Sequence, residues 1–75
     1  MKAALRGERP VPLTPREKEV LILVAQGHTT REIASRLLVS TRTVGDHRSH
    51  LLRKLRARNV ADLTRAAIRE GLVKP

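Results

Sequence analysis

"STRTVGDHRSHLLRKL", residues 40 to 55, decides how the chain is read. Val44, His47, Leu51 and Leu55 fall on one stripe at helical spacing, with Leu52 beside it. Ser40 is a good N-cap, so the stretch predicts a helix over about 41–56. Most of its other residues are basic, yet Gly45 and Asp46 sit near its start. Gly in a helix interior costs roughly 1 kcal/mol relative to Ala. Gly45 is therefore either a surface position where that cost does not matter or a place where the helix backbone comes close to a base or sugar.

Two further helix starts lie upstream. In "LTPREKEVLILVAQGH", Thr14 is an N-cap, Pro15 suits the first helical position and Glu17 sits three residues after the cap. Leu13 can staple onto the first turn, Val20, Leu21, Leu23, Val24 and Ala25 form a wide apolar face, and Gly27 supplies a left-handed stop, which gives a helix over about 15–26. Thr29 and Glu32 repeat the signal, and Ile33, Ala34 and Leu37 share a face of a helix over 30–37. Downstream, Asn59 caps a helix over about 60–70 with Asp62 at its third position. Leu63, Ala66 and Ala67 face inward, Gly71 stops the helix, and Leu72 and Val73 can fold back as a lid. The expected class is all-α with four helices. Residues 1–12, broken by Gly7, Pro10 and Pro12, read as a flexible linker or tail, with the folded part over 13–75.

The second and third helices are joined by about three residues. Numbered from Thr30, apolar residues occupy positions 4, 5, 8, 10 and 15, namely Ile33, Ala34, Leu37, Val39 and Val44. A small residue at position 5 lets two helices cross closely, and the others pin the crossing. This is the helix-turn-helix pattern, whose second helix enters the major groove of DNA. The glycine usual in the turn is replaced by Leu38.

Charge points the same way. Sixteen Lys and Arg, twelve of them Arg, oppose seven Asp and Glu, for a net charge of +9. Arg presents a planar fork that suits phosphate and guanine, so a polyanion partner is favoured over a merely solvated basic surface. Arg42, Arg48 and Arg53 face away from the apolar stripe, and Lys54, Arg56 and Arg58 lie towards and beyond its end. Ser40, Thr41 and Thr43 sit beside free amides at the helix start and can hold a phosphate. Aromatic residues and Cys are absent, so the core is aliphatic, disulfides are excluded and a reducing cytoplasm fits. The apolar run Val20–Ala25 is too short to span a bilayer, and nothing near Met1 reads as a signal peptide. A chain this short buries only about 60% of its unfolded surface, so modest stability is expected.

"LTPREKEVL", "EIASRLLVSTRTVGDHRSHLLRKL" and "AAIREGLV" together resemble the LuxR/FixJ/NarL-type helix-turn-helix domain, from about Leu13 to Val73. The resemblance implies a four-helix fold, transcriptional regulation as the DNA-binding half of a bacterial response regulator or quorum-sensing regulator, and dimerisation largely through the fourth helix. Two positions depart from the family: Gly45 stands where Lys or Arg is usual, and His50 where Asn is frequent. Both lie on or near the DNA-facing side, so the preferred operator cannot be carried over from relatives.

The combined expectation is sequence-specific binding of double-stranded DNA by the effector domain of a transcription regulator, of a two-component system. Thr29, Thr30, Arg31, Ser40, Thr41, Arg42, Thr43, Gly45, Asp46, Arg48, Ser49, His50, Arg53 and Lys54 are the expected DNA-binding residues. Asp46 either accepts from cytosine N4 or simply sits well near a helix N-terminus, paired with Arg42 or His50. Val60, Ala61, Thr64 and Ile68 are the expected surface of a homodimer, formed in solution or only on DNA. RNA polymerase is a further expected partner; a membrane is not. No cofactor is expected. His47 and His50 lack a third metal ligand, and the neighbours Asp46, His47 and Ser49 point in different directions, so neither a metal site nor a catalytic triad is expected. The rivals are an RNA-binding protein, an adaptor module, and a freestanding regulator without a sensory domain. The linker-like start suggests a piece of a longer regulator, with a complete short protein as the alternative.

Overall fold

The computed structural model describes residues 12–75. Four helices follow in order: α1 Pro15–Ala25, α2 Thr30–Leu37, α3 Thr41–Lys54 and α4 Val60–Arg69. No strand occurs among the described residues. The expected tail lies outside them except for Pro12.

Each helix begins where its cap lies. Thr14 and Thr29 each accept from the backbone N–H three residues on, while Glu17 and Glu32 reach back to the cap N–H. These are two complete capping boxes. Ser40 and Asn59 accept from the Thr43 and Asp62 N–H groups in the same way. Between them the caps satisfy amide donors that a helix start otherwise leaves unpaired.

The core is aliphatic. Val20, Leu21, Val24, Ile33, Ala34, Val44, Leu51, Leu63 and Ala67 form one buried cluster, so all four helices contribute. α1 packs against α2, α3 and α4, while α2 packs against α3. Leu13, Leu72 and Val73 lie half-buried against this cluster, as the staple and lid readings expect.

All four helices stop alike. A residue turns left-handed, and the next N–H reaches back five residues: His28 to Leu23, Val39 to Ala34, Ala57 to Leu52 and Leu72 to Ala67. The left-handed residues are Gly27, Leu38, Arg56 and Gly71. Arg56, at φ 53°, ends α3 at Lys54 rather than at the expected residue 56. The first and last helices likewise end one residue before the expected 26 and 70.

Leu38 and Arg56 bear a cost that the two glycines avoid. A left-handed conformation strains an L-residue by roughly 1–2 kcal/mol because Cβ crowds the following carbonyl. Leu38 is 90% exposed, so packing returns little of that cost. Leu38→Gly should therefore stabilise the domain by about 0.5–1 kcal/mol, the relieved strain less the added entropy of an unfolded glycine. That is a rise of a few degrees in melting temperature for a chain of this size. Thermal denaturation of the two proteins checks it, and an equal or lower melting temperature for Leu38→Gly would refute the strain argument.

Candidate nucleic-acid interface

The outward face of α3 is a line of polar residues. Arg42, Asp46, Ser49 and Arg53 recur at i, i+4, i+7 and i+11, opposite the buried Val44 and Leu51. All four are exposed, as are Thr41 and His50 beside them. His47 is half-buried on the flank, as its place on the stripe implies. Among the described residues Asp46 forms no ion pair, so the pairing with Arg42 or His50 is not made.

Gly45 lies one turn inside α3. A Cβ built there would meet nothing within 4 Å. The fold itself therefore gives no steric reason for glycine at this position.

The helix starts gather the expected hydroxyls. Ser40 Oγ accepts from the Thr43 N–H at 3.0 Å and lies 2.9 Å from Thr43 Oγ1, to which it donates. Its proton is thus used within the cap, whereas the Thr43 hydroxyl keeps its own proton to give. Thr41 is exposed on the same turn. At the start of α2, Thr29 is engaged in its capping box and Arg31 is exposed. Arg48 donates from a terminal guanidinium nitrogen to Thr30 Oγ1 at 3.1 Å. That bond ties α3 to the first residue of α2, so two surfaces expected to meet the same partner move together. Among the described residues no group of three His, Asp or Glu side chains could hold a metal.

Lys54 has a partner within the fold. Among the expected phosphate contacts it is the one turned inward: its ammonium donates to Glu17 Oε1 at 2.7 Å and to the Pro12 carbonyl at 3.4 Å. Glu17 is only 5% exposed. Lys54, the last residue of α3, points at α1 because it follows the inward side of the helix, 100° per residue round from Arg53. Glu17, expected only as a cap, thus caps α1 and also holds the end of α3. Neither this pair nor Arg48–Thr30 follows from local spacing, since the partners are 37 and 18 residues apart.

The four expected dimer residues lie along α4. Val60, Thr64 and Ile68, at i, i+4 and i+8, share one face next to the buried Leu63, Ala66 and Ala67. Val60 is 44% exposed and Ala61 is exposed, while Thr64 and Ile68 are half-buried. The Thr64 hydroxyl donates back to the Val60 carbonyl at 3.1 Å.

A basic helix laid across a second helix, with its polar face free and its apolar face buried, defines a helix-turn-helix module. The model of the family described as "Bacterial regulatory proteins, luxR family" matches residues 11–67. The chain is 40% identical over 74 residues to the transcriptional regulatory protein MctR of Rhizobium johnstonii, covering 93% of this chain and 35% of that protein. It is 38% identical over 61 residues to the oxygen regulatory protein NreC of Staphylococcus carnosus, covering 81% and 28% respectively. The NreC of Staphylococcus aureus strain JH9 is 37% identical over 62 residues, covering 83% and 29%. No solved structure gives a significant match. The chain belongs to the luxR family of bacterial regulatory proteins and carries its DNA-binding helix-turn-helix fold. It spans about a third of the length of the relatives it matches.

The Glu17–Lys54 pair yields a stability prediction. The Lys54 ammonium, then the Thr14 N–H, hold the Glu17 carboxyl below its ordinary 4.5, against the opposing effect of burial. A carboxyl lowered in the folded state adds stability above its unfolded value and loses it as pH falls through the folded value. Lys54→Met should cost about 1–3 kcal/mol at neutral pH, because a buried carboxylate loses its charged donor. The gap between parent and variant should narrow as pH drops below 4.5. Denaturant titrations at both ends of that range measure it, and a gap independent of pH would rule out the assigned role.

Proposed function

We propose that residues 13–75 form the DNA-reading module of a bacterial transcription regulator that works in the cytoplasm as the output of a two-component system. In this reading α3 lies in the major groove. Arg42 and Arg53 meet phosphates on its outer line, and Gly45, Asp46, Ser49 and His50 face the base edges. Thr29, Thr30, Arg31, Ser40, Thr41 and Thr43 hold the backbone beside the two helix starts, with Arg48 bracing Thr30. The observation that carries the proposal is the outward line on α3. Its polar side chains are unpaired with described neighbours, while Val44 and Leu51 on the opposite side of the same helix are fully buried.

Direct reading needs side chains that reach base edges from the exposed face of a helix. Gly45 and Asp46 are the informative positions. Without a side chain at 45, the backbone of α3 can approach a base pair, and an acid at 46 favours a cytosine amino group over a phosphate. Selection of bound sequences from a random duplex pool tests this. Asp46→Ala should relax preference at one base pair, a loss of about 1–3 kcal/mol in discrimination. Gly45→Lys, for which the fold has room, should shift the preferred sequence and strengthen nonspecific binding. Identical selected sequences for parent and both variants would show that these positions do not read DNA. A parent that enriches no duplex sequence would remove the proposed function itself.

The same reading assigns Val60, Ala61, Thr64 and Ile68 of α4 to a homodimer assembled on two half-sites, with RNA polymerase as a further partner of the bound regulator. Two-fold protein symmetry then fixes the half-site spacing. Ala61→Glu should abolish the advantage of a two-half-site duplex over a single half-site. Ala61 is exposed, so affinity for the single half-site should stay within about twofold, since an exposed substitution shifts free energies by only about 0.5 kcal/mol. Equal parental affinity for the two duplexes would end the dimer assignment.

A further inference from the structure

At the end of α3 lies a basic corner of which the reading face uses only Arg53. Arg53, Arg56 and Arg58 are all exposed, and among the described residues none of their guanidinium groups makes a hydrogen bond or ion pair. Of the nearby acids, Asp62 and Glu17 are already engaged, and Glu70 forms no ion pair with these arginines among the described residues. Asp62 Oδ1 holds Arg65 at 2.7 Å and Asp62 Oδ2 takes the Arg58 backbone N–H at 3.0 Å. Glu17 is held by Lys54. Three exposed arginines therefore follow one another within six residues at the end of α3, none with an ion-pair partner among the described residues.

Arg56 is the telling member. Its φ is 53°, the conformation that glycine supplies at the ends of α1 and α4. Here the chain keeps a long cationic side chain in a strained position, and nothing in the fold makes use of that side chain. Leu38 bears the same strain without a charge; at Arg56 the strained position carries a free guanidinium, and it is that charge, unused within the fold, that points to a use outside it.

We infer that Arg56 and Arg58 extend the DNA contact as a second phosphate clamp, at the end of α3 opposite Ser40 and Arg42. This rests on the DNA-binding reading above and deepens it. A helix of 14 residues is about 21 Å long, while the major groove is about 12 Å wide. Laid across the groove, a helix of that length reaches beyond its width, which brings its far end to the phosphates. Arg53 continues the outer line of α3 to that end, and Arg56 and Arg58 carry the positive charge onward from it. One continuous basic track favours one continuous polyanion.

The experiment uses the full chain and a labelled duplex of random sequence about three turns long. Each phosphate contact contributes about 0.9 to the slope of log affinity against log salt. Arg56→Gly should lower the slope by about that amount, so that its deficit against the parent grows about 3.5-fold between 200 mM and 50 mM salt. Its melting temperature should equal or exceed the parent's, because the strain is relieved. Arg56→Lys should restore the slope. Leu38→Gly, which relieves the same strain without removing charge, should leave it unchanged. A slope for Arg56→Gly equal to the parent's overturns the inference. So does an unchanged slope together with weakened binding of polyglutamate, which would make the corner an acidic-peptide site. A parent with no salt-dependent duplex binding instead defeats the DNA-binding reading on which the inference rests.

Discussion

Glu17 Oε1 accepts two hydrogen bonds, from the Thr14 N–H at 2.9 Å and from the Lys54 ammonium at 2.7 Å. The first closes the capping box of α1, and the second fixes the last residue of α3 against it. A nearly buried carboxylate is costly unless both its charge and its lone pairs are satisfied. Here the two needs are met from different helices, so the start of α1 and the end of α3 cannot separate without exposing an unpaired charge. Arg48 on Thr30 does the corresponding work between α3 and α2. α3 is thereby held from both sides, and its outer face is presented as a rigid surface.

The helix starts were legible because capping is local. Thr14–Glu17, Thr29–Glu32, Ser40 and Asn59 each act within three residues, and each cap forms where its residues stand. The buried stripe of α3 was legible for the same reason, since helical spacing places Val44 and Leu51 together. The partner of Lys54 was not legible, because spacing shows only that a residue leaves the stripe, not which neighbour receives it. A basic residue among many near the end of a basic helix gives no local sign that its partner lies 37 residues away. The end of α3 was read two residues too long, since Arg56 is not a residue from which a left-handed stop is expected; α1 and α4 stop at the expected glycines but one residue earlier than read, and α2 ends where it was read.

Solvent-facing chemistry was legible in kind but not in arrangement. Twelve arginines announce a polyanion, yet the fold divides them. Arg16 and Arg65 pair with acids on their own helices, and Arg48 is turned onto Thr30. Arg42 and Arg53 remain on the exposed line of α3. Asp46, sharing that line without an ion-pair partner among the described residues, makes the face selective in charge rather than uniformly basic.

Two choices around α3 run against stability in opposite directions. At Gly45 a side chain would favour the helix and nothing obstructs one, yet there is none. At Arg56 a glycine would suit the left-handed stop, yet a long cation stands there. Domains of this kind are held together by only about 0.05–0.15 kcal/mol per residue, so each departure is a noticeable fraction of the whole. No packing need within the fold accounts for either. Both follow if the middle of α3 must come close to a duplex while its far end must reach a backbone. The first requirement removes side-chain bulk, and the second places charge where the helix has already ended. On that account the sequence of α3 is set as much by the shape of the groove as by the helix that fills it.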